Sequence, residues 1–225
     1  IIIPLRFEWD IIREFFQAKG QKEPELSLPR SRREQGLIKM AKENSFIDLD
    51  RALEKQNKER SLKELKEILF LPKKPNRIEG FDISHNVGKN TVASMVSFSK
   101  GLPDKSNYRY FKIKSLQSGE IDDYASIREA VARHYTRLLN EKKEIPDLIV
   151  IDGGKGQLSS AKSILNSIGL EDIPIIGIAK REEEIFLPEK SEPVIIPEGS
   201  PALQVIQHVR NEAHRFAITY TRKTR

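Results

Sequence analysis

The chain has 225 residues, 38% hydrophobic and 32% charged, enough for one substantial domain or a domain with a smaller satellite. Its formal net charge of +6 favours an anionic partner, nucleic acid being the commonest, although a basic protein without such a partner fits the charge equally well. With no cysteine, disulfides, thiolate zinc sites and cysteine nucleophiles are excluded together, so any metal must sit on carboxylates, imidazoles or carbonyls. No apolar run reaches the ~20 residues of a membrane helix. Ile1–Ile3 is followed at once by Pro4, Arg6, Glu8 and Asp10, which is not the pattern of a signal peptide. The expected compartment is cytoplasmic. The start without methionine and the abrupt end at Thr221–Arg225 read as a fragment of something larger.

The first 72 residues are charged and helical in pattern. Asp10–Lys19 places Ile11, Ile12, Phe15 and Phe16 at helical spacing, with Gly20 as a stop. Pro24–Pro29 reads as extended. Arg32–Gln56 predicts a long helix carrying Leu37, Met40, Ala41, Leu49 and Leu53, with a break near Asn44. Ser61–Phe70 predicts another, Ser61 serving as N-cap and Glu64 completing a capping box. The amphipathic character of these helices predicts that segment 1–72 packs on the domain spanning 77–225. The prolines at 72 and 75 mark a boundary.

From residue 77 the period changes. Ile78–Ser84 and Thr91–Ser99 alternate as strands, separated by a turn at Asn86–Asn90. Gly101–Asn107 reads as another turn and Tyr108–Lys114 as a third strand, completing an antiparallel meander. Asp123–Asn140 is helical, Leu148–Ile151 a buried strand, Lys155–Ile168 helical and Ile175–Ala179 a second buried strand. A hairpin of Ile185–Leu187 and Val194–Ile196 comes next, and Ser200 caps a final helix that opens on Pro201 and runs to about Tyr220. The order predicts an α/β fold: a mixed five-stranded sheet, antiparallel at one side and parallel at the other, flanked by helices, with an N-terminal helical extension.

Three residues stand out chemically. Asp82 lies inside an apolar strand between Phe81 and Ile83, where an ionised carboxylate needs a partner; a salt bridge to a lysine or arginine would explain it equally well. Asp152 follows the run Leu148–Ile151 and precedes Gly153 and Gly154, at the strand end where open α/β sheets bind ligands. A helix cap is the plain alternative, and the GxxxxGK[ST] spacing of a P-loop is missing. His214 falls at the flank of the apolar stripe Leu203, Ile206, Ala213, Phe216 and Tyr220, a half-buried rim position that more often holds a structural histidine. His134, amid a charged helix, His208, on the polar side of the last helix, and His85, sent to the other face by alternation, make weaker cases.

Topology joins these residues. An aspartate on the first strand of a meander and one at the end of the next parallel strand are neighbours in an RNase H-like arrangement. Two carboxylates ~4 Å apart repel by about 4 kcal/mol at an effective dielectric of 20, and a shared divalent cation reverses the sign. Oxygen-rich sites suit Mg²⁺ or Mn²⁺, and Mn²⁺ accepts an added imidazole. Phosphodiester hydrolysis is the expected chemistry.

The segments FDISH (81–85), TVASMVSF (91–98), DDYASIREAVARHY (122–135), PDLIVIDGGKGQL (146–158), IGIAKREEEIFLP (176–188) and NEAHRFAITYTRK (211–223) resemble the carboxyl-terminal half of the UvrC family. The likeness is dense from Arg77 to Arg225, and ELSLPRSRREQGLIKMAKEN (25–44) resembles the preceding segment of that family. The resemblance implies an RNase H-like endonuclease that makes the 5′ incision beside a lesion in nucleotide excision repair. It implies Asp82, Asp152 and His214 as the catalytic, metal-holding set and adds Asp123 of the DDY motif, a residue whose start-of-helix position also fits an N-cap. Asn211 and Thr221 depart from the aspartate and histidine that family members often carry.

Implied partners are damaged double-stranded DNA and UvrB, with UvrA acting upstream. The family's GIY-YIG domain, UvrB-docking segment and helix-hairpin-helix module are expected to lie outside this chain. DNA contacts are expected from Lys155, Arg215, Arg222 and Lys223. The alternative, from another class, is a non-catalytic RNase H-like module that binds nucleic acid or protein. Nucleotide binding at Gly153–Gly156 is a third reading.

Overall fold

The computed structural model describes residues 2, 9–22, 25, 27–85, 91–117, 120–179 and 184–223. The expected turn at 86–90 lies outside them. The chain divides into two compact units at Gln56/Asn57.

The first unit contains α1 (Trp9–Ala18), a bridge between Ile2 and Ser27, and the start of α2 (Arg32–Ile68). A capping box opens α2. The Glu34 amide donates to Ser31 Oγ at 3.2 Å, and the Ser31 amide donates to Glu34 Oε2 at 2.8 Å. The two helices expected over 32–56 and 61–70 are therefore one. Ser61 is not a cap; its hydroxyl donates back to the Asn57 carbonyl at 2.8 Å, inside the helix. Nothing between Asn44 and Ser61 breaks α2, because that stretch holds neither proline nor glycine.

The second unit is built on a mixed sheet. Its strands are β1 (Arg77–His85), β2 (Thr91–Ser99), β3 (Leu102–Pro103), β4 (Arg109–Lys112), β5 (Leu148–Asp152), β6 (Ile175–Ile178) and β7 (Ile185–Phe186). The sheet order is β3-β2-β1-β5-β6-β7, with β4 also on β2. β1 and β2 are antiparallel, whereas β1–β5 and β5–β6 are parallel. The turn expected over 101–107 contains β3 and a short 3-10 helix at Lys105–Asn107, so the third strand of the meander is split in two along the edge of β2. Pro103 lacks an amide proton, and Asp104 gathers the hydroxyl of Ser106 and the amide of Asn107 at 2.6 Å each, so the chain turns before pairing resumes. Of the expected hairpin, β7 pairs with β6, and Val194 contributes a single bridge to Ile185.

Helices cover both faces. α3 (Asp123–Asn140) and α4 (Lys155–Ser167) lie over one, burying Phe81, Met95, Ile127, Val131, Tyr135, Ile149, Ile151 and Leu158. α5 (Pro201–Lys223) covers the other, with Ile78, Val96, Val150, Ile176, Ile206, Val209 and Ala213. Leu62, Leu65, Leu69 and Leu71 join this second core, which ties the end of α2 to the sheet and explains why the division falls upstream of the proline boundary. Ser200 caps α5, its hydroxyl accepting from the Ala202 amide at 3.1 Å while donating to Glu64 at 2.7 Å. The sheet has seven strands where five were expected: the order β4-β2-β1-β5-β6 is the expected mixed arrangement, to which the short β3 adds on the edge of β2 beside β4 and β7 adds at the opposite edge.

Candidate metal centre

Side chains alternate along a strand, so Ile78, Gly80 and Asp82 share the α5 face of β1, and Val150 and Asp152 share it on β5. Phe81 pairs with Ile151 across the parallel ladder. Asp82 and Asp152 occupy the next position outward on each strand and emerge side by side. Both are nearly inaccessible, 3% and 5% exposed.

α5 brings the third residue. It approaches β1 closely because Gly80 has no side chain: a Cβ there would lie 2.5 Å from Val209 Cγ1. Ser94, opposite Asp82 in the β1–β2 register, donates to the Ala213 carbonyl at 3.0 Å and pins the helix one residue before His214. His214 Nδ1 then stands 3.1 Å from Asp82 Oδ2. A ligand atom from each of Asp82, Asp152 and His214 lies within 4.8 Å of the others. His214 is 52% exposed, more open than its expected rim position, so the centre has two buried carboxyl groups and a solvent-facing imidazole.

Asp123 approaches from the other face. It is the first residue of α3 but not its cap; Asp122 is, accepting from the Ala125 amide at 2.9 Å. Asp123 Oδ2 accepts from Gln157 Nε2 at 3.1 Å. Gln157 lies against Gly153, where an added Cβ would fall 1.5 Å from its Oε1. Gly156 is spared a clash with Tyr124 in the same way, its Cβ position being 2.6 Å from the ring. Two of the three glycines after Asp152 thus make room for the protein's own side chains. Asp152 is not a helix cap either: Gly154 takes that position before α4, without a side-chain bond. Asp122, Asp123, Tyr124, Gly154 and Gln157 line a cavity of about 670 Å³.

The expected DNA contacts are distributed unevenly. Lys155 opens α4 as predicted, its ammonium donating to the Ser191 carbonyl and lying 5.1 Å from the centre of the Phe186 ring. Arg215 forms two bonds to Glu212, at 2.6 and 2.7 Å, which hold its guanidinium along its own helix. Arg222 and Lys223 fall on the last turn of α5, their side chains outside the described set. Asn211 is exposed and accepts from Arg210 at 3.0 and 3.1 Å.

His134, a weak candidate by sequence, is 2% exposed. Its Nε2 lies 3.0 Å from Glu79 Oε2, the Tyr135 hydroxyl donates to that oxygen at 2.8 Å, and Arg77 Nη2 donates to Oε1 at 2.7 Å. Burial pushes the Glu79 carboxyl up, but the hydrogen bond and attraction from His134 together with the Arg77 guanidinium outweigh it and hold the group below the usual carboxylate range. Glu79 is fully enclosed on the face away from Asp82, so this network locks β1 to α3. The signal for it was the helical stripe Ile127, Ala130, Val131, His134, Tyr135 and Leu138.

A model of the UvrC RNAse H endonuclease domain matches residues 66–218. "UvrABC system protein C" of Treponema denticola is 50% identical over 188 residues, covering 84% of this chain and 28% of its own length. The protein of the same name from Methanosarcina acetivorans is 46% identical over 227 residues, covering 100% of this chain and 42% of its own length. The chain therefore spans less than half of these relatives. Among solved structures, that of human ENDOV aligns with a TM-score of 0.43 at 13% identity, over 74% of this chain and 98% of its own. The family match spans β1, β5 and most of α5, and the chain belongs to the UvrC RNase H endonuclease domain family.

Proposed function

We propose that this chain is a divalent-metal-dependent DNA endonuclease domain that hydrolyses one phosphodiester, making the 5′ incision beside a lesion in nucleotide excision repair. The observation that carries the reading is the convergence of ligand atoms from Asp82, Asp152 and His214 within 4.8 Å. Two carboxylates at that separation repel by about 3.5 kcal/mol at an effective dielectric of 20, and burial on both sides limits relief by solvent. Such a pair fits a hard divalent cation, Mg²⁺ or Mn²⁺, with the imidazole better suited to Mn²⁺. When bound, the cation supplies positive charge for the phosphoryl oxygens and acidifies a water.

The chain's own residues do the rest. Asp82 and Asp152 would hold the cation from rigid strand positions, so that little reorganisation would accompany substrate binding. His214, tethered through Nδ1 to Asp82, serves either as the third ligand or, through Nε2, as a proton carrier for the attacking water or the leaving oxygen. Asp123, held by Gln157, steadies the loop after Asp152. Lys155, Arg215, Arg222 and Lys223 contribute phosphate contacts beside the cut. Damaged duplex DNA is the substrate, and the name UvrABC system protein C carried by the relatives supports UvrB, with UvrA upstream, as partners.

A non-catalytic RNase H-like module would gain nothing from two buried like charges kept side by side. The test is incision in a reconstituted repair reaction. Asp82→Ala and Asp152→Ala are each expected to abolish the 5′ cut while DNA binding persists, and a variant that still cuts overturns the assignment.

A further inference from the structure

Three residues past Asp152, α4 begins, and one of its faces has an unusual composition. Lys155, Ser159, Lys162, Ser163 and Asn166 fall at i, i+4, i+7, i+8 and i+11, a single stripe on a helix. All five carry hydrogen-bond donors, and α4 contains no acidic residue over its whole length, in a chain with 33 Asp and Glu. Together with Lys190 they line a groove of about 410 Å³, with Leu158, Leu187 and Pro188 as its apolar lining and one carboxylate, that of Glu189.

The three lysines lack ion pairs among the described residues. Lys155 donates to the Ser191 carbonyl, Lys162 to the Glu171 carbonyl, and Lys190 lies 5.9 Å from the Phe70 ring centre. Carbonyls and rings orient an ammonium without cancelling its charge, so among the described residues no direct ion pair offsets the three positive charges. The stripe covers about 17 Å at 1.5 Å per residue, the rise of about five nucleotides along one strand. Serine hydroxyls and an asparagine amide between lysines match phosphate and sugar oxygens, which accept and do not donate.

We propose that this groove binds the sugar–phosphate backbone of DNA as it leads away from the scissile phosphate. The direction of travel rests on the nuclease reading; the anion specificity rests on the groove itself. Contact is sequence-independent, because donors alone on one helix face read the backbone and not base edges.

The test is the salt dependence of binding. The 225-residue chain is titrated onto a fluorescein-labelled duplex in EDTA, with anisotropy read from 50 to 300 mM KCl. Lys162→Gln and Lys190→Gln are each expected to reduce the slope of log K against log [salt] by about 0.9. That corresponds to about eightfold weaker binding at 0.1 M salt for each lysine. Lys142→Gln, on the loop after α3, is the control and is expected to leave the slope unchanged. Unchanged slopes for both groove variants overturn the proposal, as does an equal loss in the control or a wild-type chain without affinity for the duplex. Because the binding assay contains no metal, it tests the groove alone, and the nuclease assignment is read separately from incision in the reconstituted repair reaction: incision there with unchanged slopes here removes the groove alone, and groove-dependent slopes here with no incision there remove the nuclease alone.

Discussion

Replacing Asp152 by asparagine removes one of two like charges from a buried pair while keeping the shape of the side chain. Asp82 and Asp152 are 3% and 5% exposed, with ligand oxygens no more than 4.8 Å apart. Their repulsion is about 3.5 kcal/mol at an effective dielectric of 20, and it is largely absent in the unfolded chain, where the two residues separate. Asp152 keeps a further interaction within the fold, which asparagine would alter, so the net gain is set below that figure. The metal-free Asp152→Asn protein is therefore expected to be more stable than wild type by about 1–3 kcal/mol. Urea titration in EDTA at pH 8 measures the difference through the midpoint. Adding Mn²⁺ is expected to invert the order, because a ligand at 100 times its dissociation constant stabilises by about 2.7 kcal/mol and only wild type should bind it well. An Asp152→Asn protein less stable than wild type in EDTA would refute the claim that the pair is held in electrostatic tension.

Other substitutions probe the supports of the site. Gly80→Ala forces a Cβ to within 2.5 Å of Val209 Cγ1; it is expected to cost about 1–3 kcal/mol by overpacking, and Val209→Ala in the same chain should restore most of the loss in thermal melts. Glu79→Ala breaks a buried charge network and is expected to cost about 3–5 kcal/mol. Because the folded Glu79 carboxyl is depressed below its ordinary value of 4.5, its contribution is complete above that value and is lost as pH falls through the lower folded value. The stability gap between wild type and Glu79→Gln should accordingly narrow below about pH 4.5, and a gap that widens there contradicts the direction. His214→Asn separates the two roles of the imidazole: a metal ligand predicts weaker Mn²⁺ binding in calorimetry, whereas a proton carrier predicts unchanged binding with loss of the pH dependence of incision.

Much of the sheet was legible because its strands are distinctive. Leu148–Ile151 is wholly apolar and ends in aspartate and glycine, and α3 was placed at Asp123–Asn140 with its observed ends. Where local signals recur by chance, reading failed. The Ser-x-x-Glu pattern occurs at Ser31 and again at Ser61, and only the first caps a helix, because the second sits where α2 already supplies backbone partners. The split of the third strand at Pro103–Asp104 depends on side chains turning back on the backbone, which alternation does not report. At the centre, Asp82 was visible as a charge inside an apolar strand, and Asp152 as the end of a buried one. Gln157 was not visible, since its role comes from filling the space that Gly153 leaves, a relation between residues on one helical turn and a loop. His134, a weak site candidate by sequence, lies in the Glu79 network instead of the centre; its burial was not visible because Arg133 and Arg137 coloured its surroundings, although its own stripe is buried.

The most direct measurement is a crystal of this chain soaked in Mn²⁺, with diffraction collected at the manganese edge. The account predicts one or more anomalous peaks between β1 and β5, within about 2.2 Å of a carboxylate oxygen from each of Asp82 and Asp152. Both carboxylates side by side at millimolar Mn²⁺ with no anomalous density between them would contradict it.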